Sequence, residues 1–170
     1  MILEIAALVN HKVMRNRRTL PALLLCLILH TGLLRGQQLT VETESGKQTE
    51  LTRADIAAMP HIKITTGDAT FEGVELSAVL EKGRIELGDT LRGKRMVSCL
   101  LVEAADGYRV VIALPEIDPA FSEKRFILAF LKDGKSLDAK EGPYRIVIPD
   151  EKRMARWVKQ VTRLKIVEVQ

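Results

Sequence analysis

Residues 95–114, RMVSCLLVEAADGYRVVIAL, contain two apolar runs on either side of Ala105-Asp106-Gly107. Asp-Gly favours a tight turn between antiparallel strands, because glycine readily adopts the positive φ that short hairpin turns require. Both runs are rich in Val, Leu and Ile, and the branched residues among them favour strands. The stretch therefore predicts a β-hairpin in the middle of the chain. Asp106 is better explained by this turn than by acid–base chemistry.

Turn signals of the same kind recur on both sides of this hairpin. Ser45-Gly46 divides LTVETESGKQTEL, in which apolar and polar residues alternate, and Asp133-Gly134 follows the apolar run FILAFLK. Such patterns predict further hairpins. Apolar segments at residues 61–66, 144–148 and 162–169 predict three more strands.

Two segments carry helical signals instead. Thr52 precedes Asp55 by three residues, which is the spacing of a capping box, and the helix it starts must end before Pro60. Residues 74–83, VELSAVLEKG, place apolar side chains at helical spacing before a terminal glycine. The sequence thus predicts one α+β domain that is rich in antiparallel strands, with two or three short helices.

The N-terminal segment, residues 1–36, has a different composition from the rest. Its second part begins at Met14 with a basic stretch, continues with an apolar run over residues 20–29, and ends near the small residue Gly36. This order is typical of a secretory signal, and the run is shorter than the roughly 20 residues that span a bilayer. We expect the true start at Met14 and a periplasmic or secreted protein. An uncleaved membrane anchor and a buried helix are the alternatives, and Arg17-Arg18 leaves the export route open.

The charge balance bears on partners. The whole chain has a formal charge of +4, but residues 37–170 contain 21 cations and 21 anions. A nucleic-acid-binding domain normally carries a clear excess of positive charge. The sequence therefore predicts no nucleic-acid partner, and contact with a membrane only through an uncleaved signal segment.

Few side chains offer catalytic or metal-binding chemistry. Cleavage near Gly36 would leave Cys99 as the one thiol and His61 as the one histidine. A zinc or iron site built from His and Cys clusters is then excluded. Cys99 lies in a predicted strand, which favours a buried structural thiol, and His61 opens another strand, which favours a packed or surface role. We identify no catalytic residue.

The segment of residues 141–161, EGPYRIVIPDEKRMARWVKQV, concentrates positive charge after a Gly-Pro turn. Arginine suits bidentate recognition of phosphate and lysine adds a point charge. If residues 153–160 formed a helical turn, Arg153, Arg156 and Lys159 would share one face. Charge runs are more often solvated faces, so spacing alone favours solubility over an anion site. The default role of Trp157 is core packing.

With these segments in view, the chain resembles the molybdopterin-binding domain of the sulfite oxidase family, and in particular its short exported members. The resemblance runs in order from about residue 50 to the C-terminus. It rests on Phe71-Glu72-Gly73-Val74, Ala105-Asp106-Gly107-Tyr108, Pro115-Glu116-Ile117-Asp118, Asp133-Gly134-Lys135-Ser136-Leu137, the run from Gly142 to Pro149, and Arg156-Trp157-Val158-Lys159.

The resemblance implies that residues 37–170 form a sulfite-oxidase-like, molybdopterin-binding fold. In the larger enzymes of the family, basic groups in the C-terminal segment hold the pterin phosphate. Transferred to this sequence, the expected cofactor contacts are Arg145, Arg156 and Lys159, and the expected cofactor is molybdopterin.

One departure from the family pattern bears on activity. The redox enzymes bind molybdenum through a cysteine on a loop before the segment that matches residues 71–74, whereas HIKITTGDATFEG (residues 61–73) has neither the cysteine nor the loop. We therefore expect a pterin- or anion-binding domain, or an accessory module for a redox partner protein, without the metal-ligating cysteine. An active molybdopterin-dependent oxidoreductase with a non-cysteine ligand, and a structural or protein-binding domain, are the alternatives.

Overall fold

The computed structural model describes residues 38–149 and 151–168. The predicted signal segment, including Met14 and Cys26, lies outside these ranges. Within them, every helix is too short or too polar to cross a membrane.

In the described chain, a short α-helix follows each of the first three pairs of strands. The strands are β1 (Leu39–Glu42), β2 (Gln48–Leu51), β3 (Ile62–Thr66), β4 (Ala69–Glu75), β5 (Ser98–Ala104), β6 (Arg109–Ala113), β7 (Ile127–Lys132), β8 (Lys135–Ser136), β9 (Arg145–Val147) and β10 (Val161–Glu168). The α-helices are α1 (Arg53–Ala57), α2 (Leu76–Lys82) and α3 (Leu114–Ile117). Three 3₁₀ turns span Gly88–Thr90, Gly93–Val97 and Met154–Arg156.

The strands form two sheets. The first has the order β2-β1-β10-β5-β6, and the second has the order β3-β4-β7-β8, with β9 also paired to β7. Every pairing is antiparallel except that of β1 with β10. One cluster of buried apolar side chains includes residues of both sheets and all three helices. The prediction of a single strand-rich α+β domain is confirmed.

The central hairpin forms as predicted. β5 pairs with β6 from Cys99 opposite Ala113 to Glu103 opposite Arg109. Asp106 accepts a hydrogen bond from the backbone N–H of Tyr108 at 2.9 Å, which confirms its role in the turn. Side chains along β5 alternate between buried and half-buried, as the period of a strand requires. Cys99 falls on the half-buried side, so the prediction of a buried thiol is wrong.

Both predicted helices are present with their boundary signals. Thr52 and Asp55 form the capping box of α1, with each side chain bonding the backbone of the other. α2 ends at Lys82, directly before Gly83. A Cβ on Gly83 would lie 2.4 Å from Cγ1 of Val41, so glycine is needed there because β1 packs closely against the helix end.

Candidate anion-binding site

Arg145 is the most deeply buried cation of the C-terminal basic segment. It is the first residue of β9, and pairing of that strand with β7 places it opposite Ala129. Its side chain is 6% exposed, and its guanidinium carbon lies 5.3 Å from the ring centre of Phe71 and 5.4 Å from that of Trp157. Cation–π attraction of this kind is strongest when the cation is desolvated. The two rings therefore fix the guanidinium in place.

A single carboxylate faces this guanidinium. Oε1 of Glu141 lies 2.6 Å from Nη1 of Arg145 and 3.5 Å from Nζ of Lys159, while Oε2 lies 3.8 Å from Nζ of Lys132. Three cations thus surround one anion, which leaves a local excess of positive charge. Nε of Arg145 is buried and has no hydrogen-bond partner among the described residues. We call these four residues the Glu141 cluster.

Arg156 lies in a separate ion-pair network. Its guanidinium contacts the carboxylates of Glu151 and Glu116, the latter at 3.3 Å from Nη1. Partial burial disfavours ionisation of Glu116, but the hydrogen bonds and charges of Arg156 and Lys124 outweigh it and hold the pKa of Glu116 below its ordinary value. Two carboxylates therefore already satisfy this arginine, and it does not reach the Glu141 cluster by any described contact.

The helical turn considered for residues 153–160 does not form. Only Met154–Arg156 make a 3₁₀ turn, and Trp157 leaves it with φ −81° and ψ 74°. The indole N–H of Trp157 donates to the carbonyl of Ile148 at 2.9 Å, which ties this segment to the end of β9. Arg153 and Lys159 consequently do not line one helix face with Arg156. Trp157 is buried, as its default role in packing predicts.

A small cavity of about 230 Å³ opens beside the same tryptophan. Its walls come from the turn after β5 and from the 3₁₀ turn, and the phenol O–H of Tyr108 joins them by donating to the carbonyl of Ala155 at 2.8 Å. Its lining residues are Asp106, Tyr108, Met154, Ala155, Trp157 and Lys159. Lys159 therefore belongs to both the cavity and the Glu141 cluster.

Segments distant in the sequence meet at residues 155–157, next to this cavity. Phe71 and Trp157 pack edge to face with ring centres 5.9 Å apart, Tyr108 contacts the 3₁₀ turn, and Glu116 pairs with Arg156. These residues come from four of the six segments that carry the resemblance to the sulfite oxidase family. These four segments therefore form one spatial unit.

Comparison with known proteins agrees with this arrangement. The family model described as the oxidoreductase molybdopterin binding domain matches residues 37–170. The chain belongs to this family. No curated protein sequence matches it.

Among solved structures, the fold of this family member is similar to that of the sulfane dehydrogenase SoxCD from Paracoccus pantotrophus. The TM-score is 0.60 at 20% identity, over 80% of this chain and 40% of the other. The chain thus spans less than half the length of that protein, and the likeness at this identity shows the fold alone. The prediction of a sulfite-oxidase-like fold is confirmed, and a molybdopterin-binding, oxidoreductase-like domain is the class to which the chain belongs.

Other candidate residues have structural roles. Nδ1 of His61 lies 3.2 Å from Glu72 and Nε2 lies 3.1 Å from the carbonyl of Ala57, so both ring nitrogens are engaged. Sγ of Cys99 lies 3.8 Å from the carbonyl of Val97. Within residues 38–149 and 151–168, no group of three or more His, Cys, Asp or Glu side chains is arranged to hold a metal ion.

Sequence reasoning missed the acidic half of the site. Glu141, Glu151 and Glu116 take part in the ion pairs that hold the three predicted cations. The spacing of Glu141 and Arg145 by four residues was the available signal. It is informative on a helix, but these residues lie at a turn and a strand, so nothing in the local pattern indicated their pairing.

Proposed function

We propose that this domain is an exported pterin- or anion-binding accessory module of its family, and that it does not hold molybdenum through a cysteine thiolate. The observation that carries the proposal is the Glu141 cluster, in which three cations face one carboxylate beside a cavity. A phosphate group, such as that of molybdopterin, is the ligand class that suits the cluster.

The cation geometry supports an anionic ligand. Arg145 is oriented by Phe71 and Trp157, and an oriented guanidinium offers two parallel N–H donors to a phosphate. Lys159 is about half exposed at the cavity, so its ammonium is accessible from solvent. An incoming phosphate would compete with Glu141 for these donors. Because the cluster carries more positive than negative charge, it attracts a further anion even before Glu141 moves aside.

The short β3–β4 connection and the position of Cys99 support the second part of the proposal. Strands β3 and β4 are joined by Gly67 and Asp68 alone, which leaves no loop before the family segment that starts at Phe71. Cys99 is the second residue of β5, near the end of the strand opposite to the cavity, and the strand between Cys99 and Ala104 extends for about 17 Å. Molybdenum prefers a soft thiolate ligand in the enzymes that this chain resembles. The described residues fit the anionic part of the cofactor and do not fit its metal.

Cofactor analysis tests both parts together. The full chain would be expressed in a host that produces molybdopterin, and the purified protein analysed for molybdenum and for acid-released pterin. We expect pterin without stoichiometric molybdenum. Stoichiometric molybdenum would overturn the loss of the metal site and favour an active oxidoreductase with a non-cysteine ligand.

Titration with inorganic pyrophosphate tests the cluster directly. Replacing Lys159 by glutamine is expected to weaken pyrophosphate binding by about threefold to tenfold, because an exposed charge contributes roughly 1 kcal/mol. The matched control is Lys94→Gln, which removes an exposed lysine from a different part of the chain. Equal binding by the wild type, Lys159→Gln and Lys94→Gln would contradict an anion site at this position.

One observation favours a structural role instead. Arg145, Lys159 and Arg156 each contact a carboxylate of the domain, so the cations could serve stability alone. Glu141→Gln separates the two functions. If the cluster is an anion site, removing its internal carboxylate raises the affinity for pyrophosphate. If the cluster is structural, the variant lowers the free energy of unfolding and pyrophosphate binding stays absent.

Export has an independent test. The mature protein recovered from its native host would be sequenced from the N-terminus. We expect the mature N-terminus near Gly36, because a small residue after the apolar run is typical of a signal cleavage site. Recovery of a cytoplasmic protein with an intact N-terminus would contradict export without affecting the anion site.

A further inference from the structure

A second and larger cavity lies where the two sheets meet. Its volume is about 370 Å³, which falls in the range of small-molecule sites. Phe130 of β7 lines it from the second sheet, and Val161 of β10 lines it from the first. Leu137 and Pro143 add apolar surface from the loop that follows β8. The walls therefore suit the apolar body of a small molecule.

The cavity is held open by hydrogen bonds in its walls. Gln160 donates its backbone N–H to the carbonyl of Glu141 at 2.9 Å and its side-chain amide to the carbonyl of Ala139 at 2.6 Å. Its own carbonyl accepts from the N–H of Ala105 at 2.9 Å. These bonds join the loop to the start of β10. A site whose walls are already fixed loses little entropy when a ligand binds.

Arg53 supplies the positive charge of this cavity. It is the first residue of α1, it is exposed, and it forms no ion pair or hydrogen bond with any described side chain. The one carboxylate on the lining is that of Asp138, whose Oδ1 accepts the backbone N–H groups of Lys140 and Glu141 at 2.8 and 2.9 Å. These bonds offset part of the negative charge of Asp138, so Arg53 remains the group best placed to pair with a ligand.

We propose that this cavity binds a small organic acid, whose carboxylate pairs with Arg53 and whose apolar body lies against Phe130, Leu137 and Pro143. The site is separate from the Glu141 cluster, with which it shares no lining side chain. The inference therefore stands apart from the proposed pterin or anion site. It assigns the domain a second ligand of a different class, with one negative charge and an apolar body.

Benzoate is the probe, and benzamide is its neutral counterpart of nearly the same shape. In calorimetric or NMR titration of the full chain, we expect benzoate to bind at one site and benzamide to bind at least about tenfold more weakly. Arg53→Gln should weaken benzoate binding by about the same factor, because hydrogen bonds between charged groups are stronger than hydrogen bonds between neutral groups. Arg53 is exposed, so this variant is expected to fold normally.

Two controls locate the bound benzoate. Arg92→Gln removes an exposed arginine elsewhere and should leave benzoate binding unchanged. Lys159→Gln should also leave it unchanged, which distinguishes this cavity from the Glu141 cluster. Absence of benzoate binding at millimolar concentration, or equal binding by the wild type and Arg53→Gln, would overturn the proposal. Equal affinity for benzoate and benzamide would overturn it as well.

Discussion

At the scale of single residues, Tyr144 and Arg145 are adjacent in the chain, and each buries a polar atom that has no partner among the described residues. The atoms are the phenol oxygen of Tyr144 and Nε of Arg145. A buried donor without a partner costs about 1–3 kcal/mol. Arg145 offsets this cost through two aromatic rings and Glu141, and it belongs to the proposed anion site. Tyr144 has no such ion pair, so its hydroxyl is the more informative to remove.

Tyr144→Phe is expected to keep or raise the free energy of unfolding, by up to about 1 kcal/mol, because the variant loses an unpaired hydroxyl and retains the buried ring. Burial raises the pKa of Tyr144, Arg53 opposes that rise and Asp55 adds to it, so the hydroxyl stays neutral near pH 7. Urea unfolding of both proteins at that pH measures the difference. A loss of more than about 1 kcal/mol would mean that the hydroxyl has a bound partner.

Glu116 gives a prediction about pH. Its pKa is below the ordinary value of 4.5 in the folded protein, so the stability it contributes is present above that value and is lost as pH falls through the lower, folded pKa. Glu116→Gln should therefore be less stable than the wild type near pH 6, and the difference should shrink below pH 4.5. Chemical unfolding across this range measures it. Glu123→Gln, which removes an exposed carboxylate without a described ion pair, is the control. If the free energies of unfolding of the wild type and Glu116→Gln differed by the same amount at every pH, a lowered pKa of Glu116 would be contradicted.

At the scale of secondary-structure elements, β4 passes close to its neighbour β7 at Gly73. A Cβ there would lie 2.2 Å from the carbonyl oxygen of Leu128 on β7, at a position where the register of the pair shifts. The backbone of β7 occupies the space that a side chain would need. The family segment at residues 71–74 thus needs glycine for the contact between these strands.

Gly73→Ala is expected to lower the free energy of unfolding by about 3 kcal/mol or more, because a backbone contact cannot move aside as a flexible side chain can. Gly107→Ala is the comparison. Gly107 has φ +85°, but the space around the new methyl group is open, so this substitution should lower the free energy of unfolding by only about 1 kcal/mol. Thermal or denaturant unfolding distinguishes the two. Similar losses for both variants would show that β4 and β7 can separate.

The elements themselves were largely predictable from the sequence, and the site was not. The Asp-Gly turn, the Thr52 capping box and the glycine after α2 are local signals, and the structure has all three elements. The helix considered for residues 153–160 fails because the indole of Trp157 bonds the carbonyl of Ile148, a tertiary contact that overrides local spacing. Burial of Arg145 also depends on partners outside its segment, above all Phe71.

At the scale of the whole molecule, the two sheets are joined through one core. Buried residues of both sheets belong to the same apolar cluster, and a backbone bond links the two, from the N–H of Val161 in β10 to the carbonyl of Tyr144, directly before β9, at 3.0 Å. A domain with one core normally unfolds in a single cooperative transition. Among the described residues, neither sheet has an apolar cluster of its own that could keep it folded after the other sheet unfolds.

We therefore expect the fluorescence of Trp157 and the far-ultraviolet circular dichroism to give the same midpoint in urea. Trp157 is the only tryptophan of the chain and reports on the contact with Phe71 of the second sheet, whereas circular dichroism reports on all strands. Two separated midpoints would contradict a shared core. The comparison requires no variant and can be made with the full chain.

The position of β10 in the first sheet affects how this protein folds during translation. The strands of the second sheet all lie between residues 62 and 147, so every one of them is translated before β10, although β5 and β6 of the first sheet lie among them. Among the described residues β10 is the last strand in the chain, yet it is the middle strand of the first sheet, with β1 on one side and β5 on the other. Contacts between residues this distant in the chain form slowly, because closing a long loop costs entropy before the contact is gained. A nascent chain therefore cannot close its first sheet until β10 has been translated, and loss of β10 would separate β1 from β5 rather than remove an edge strand.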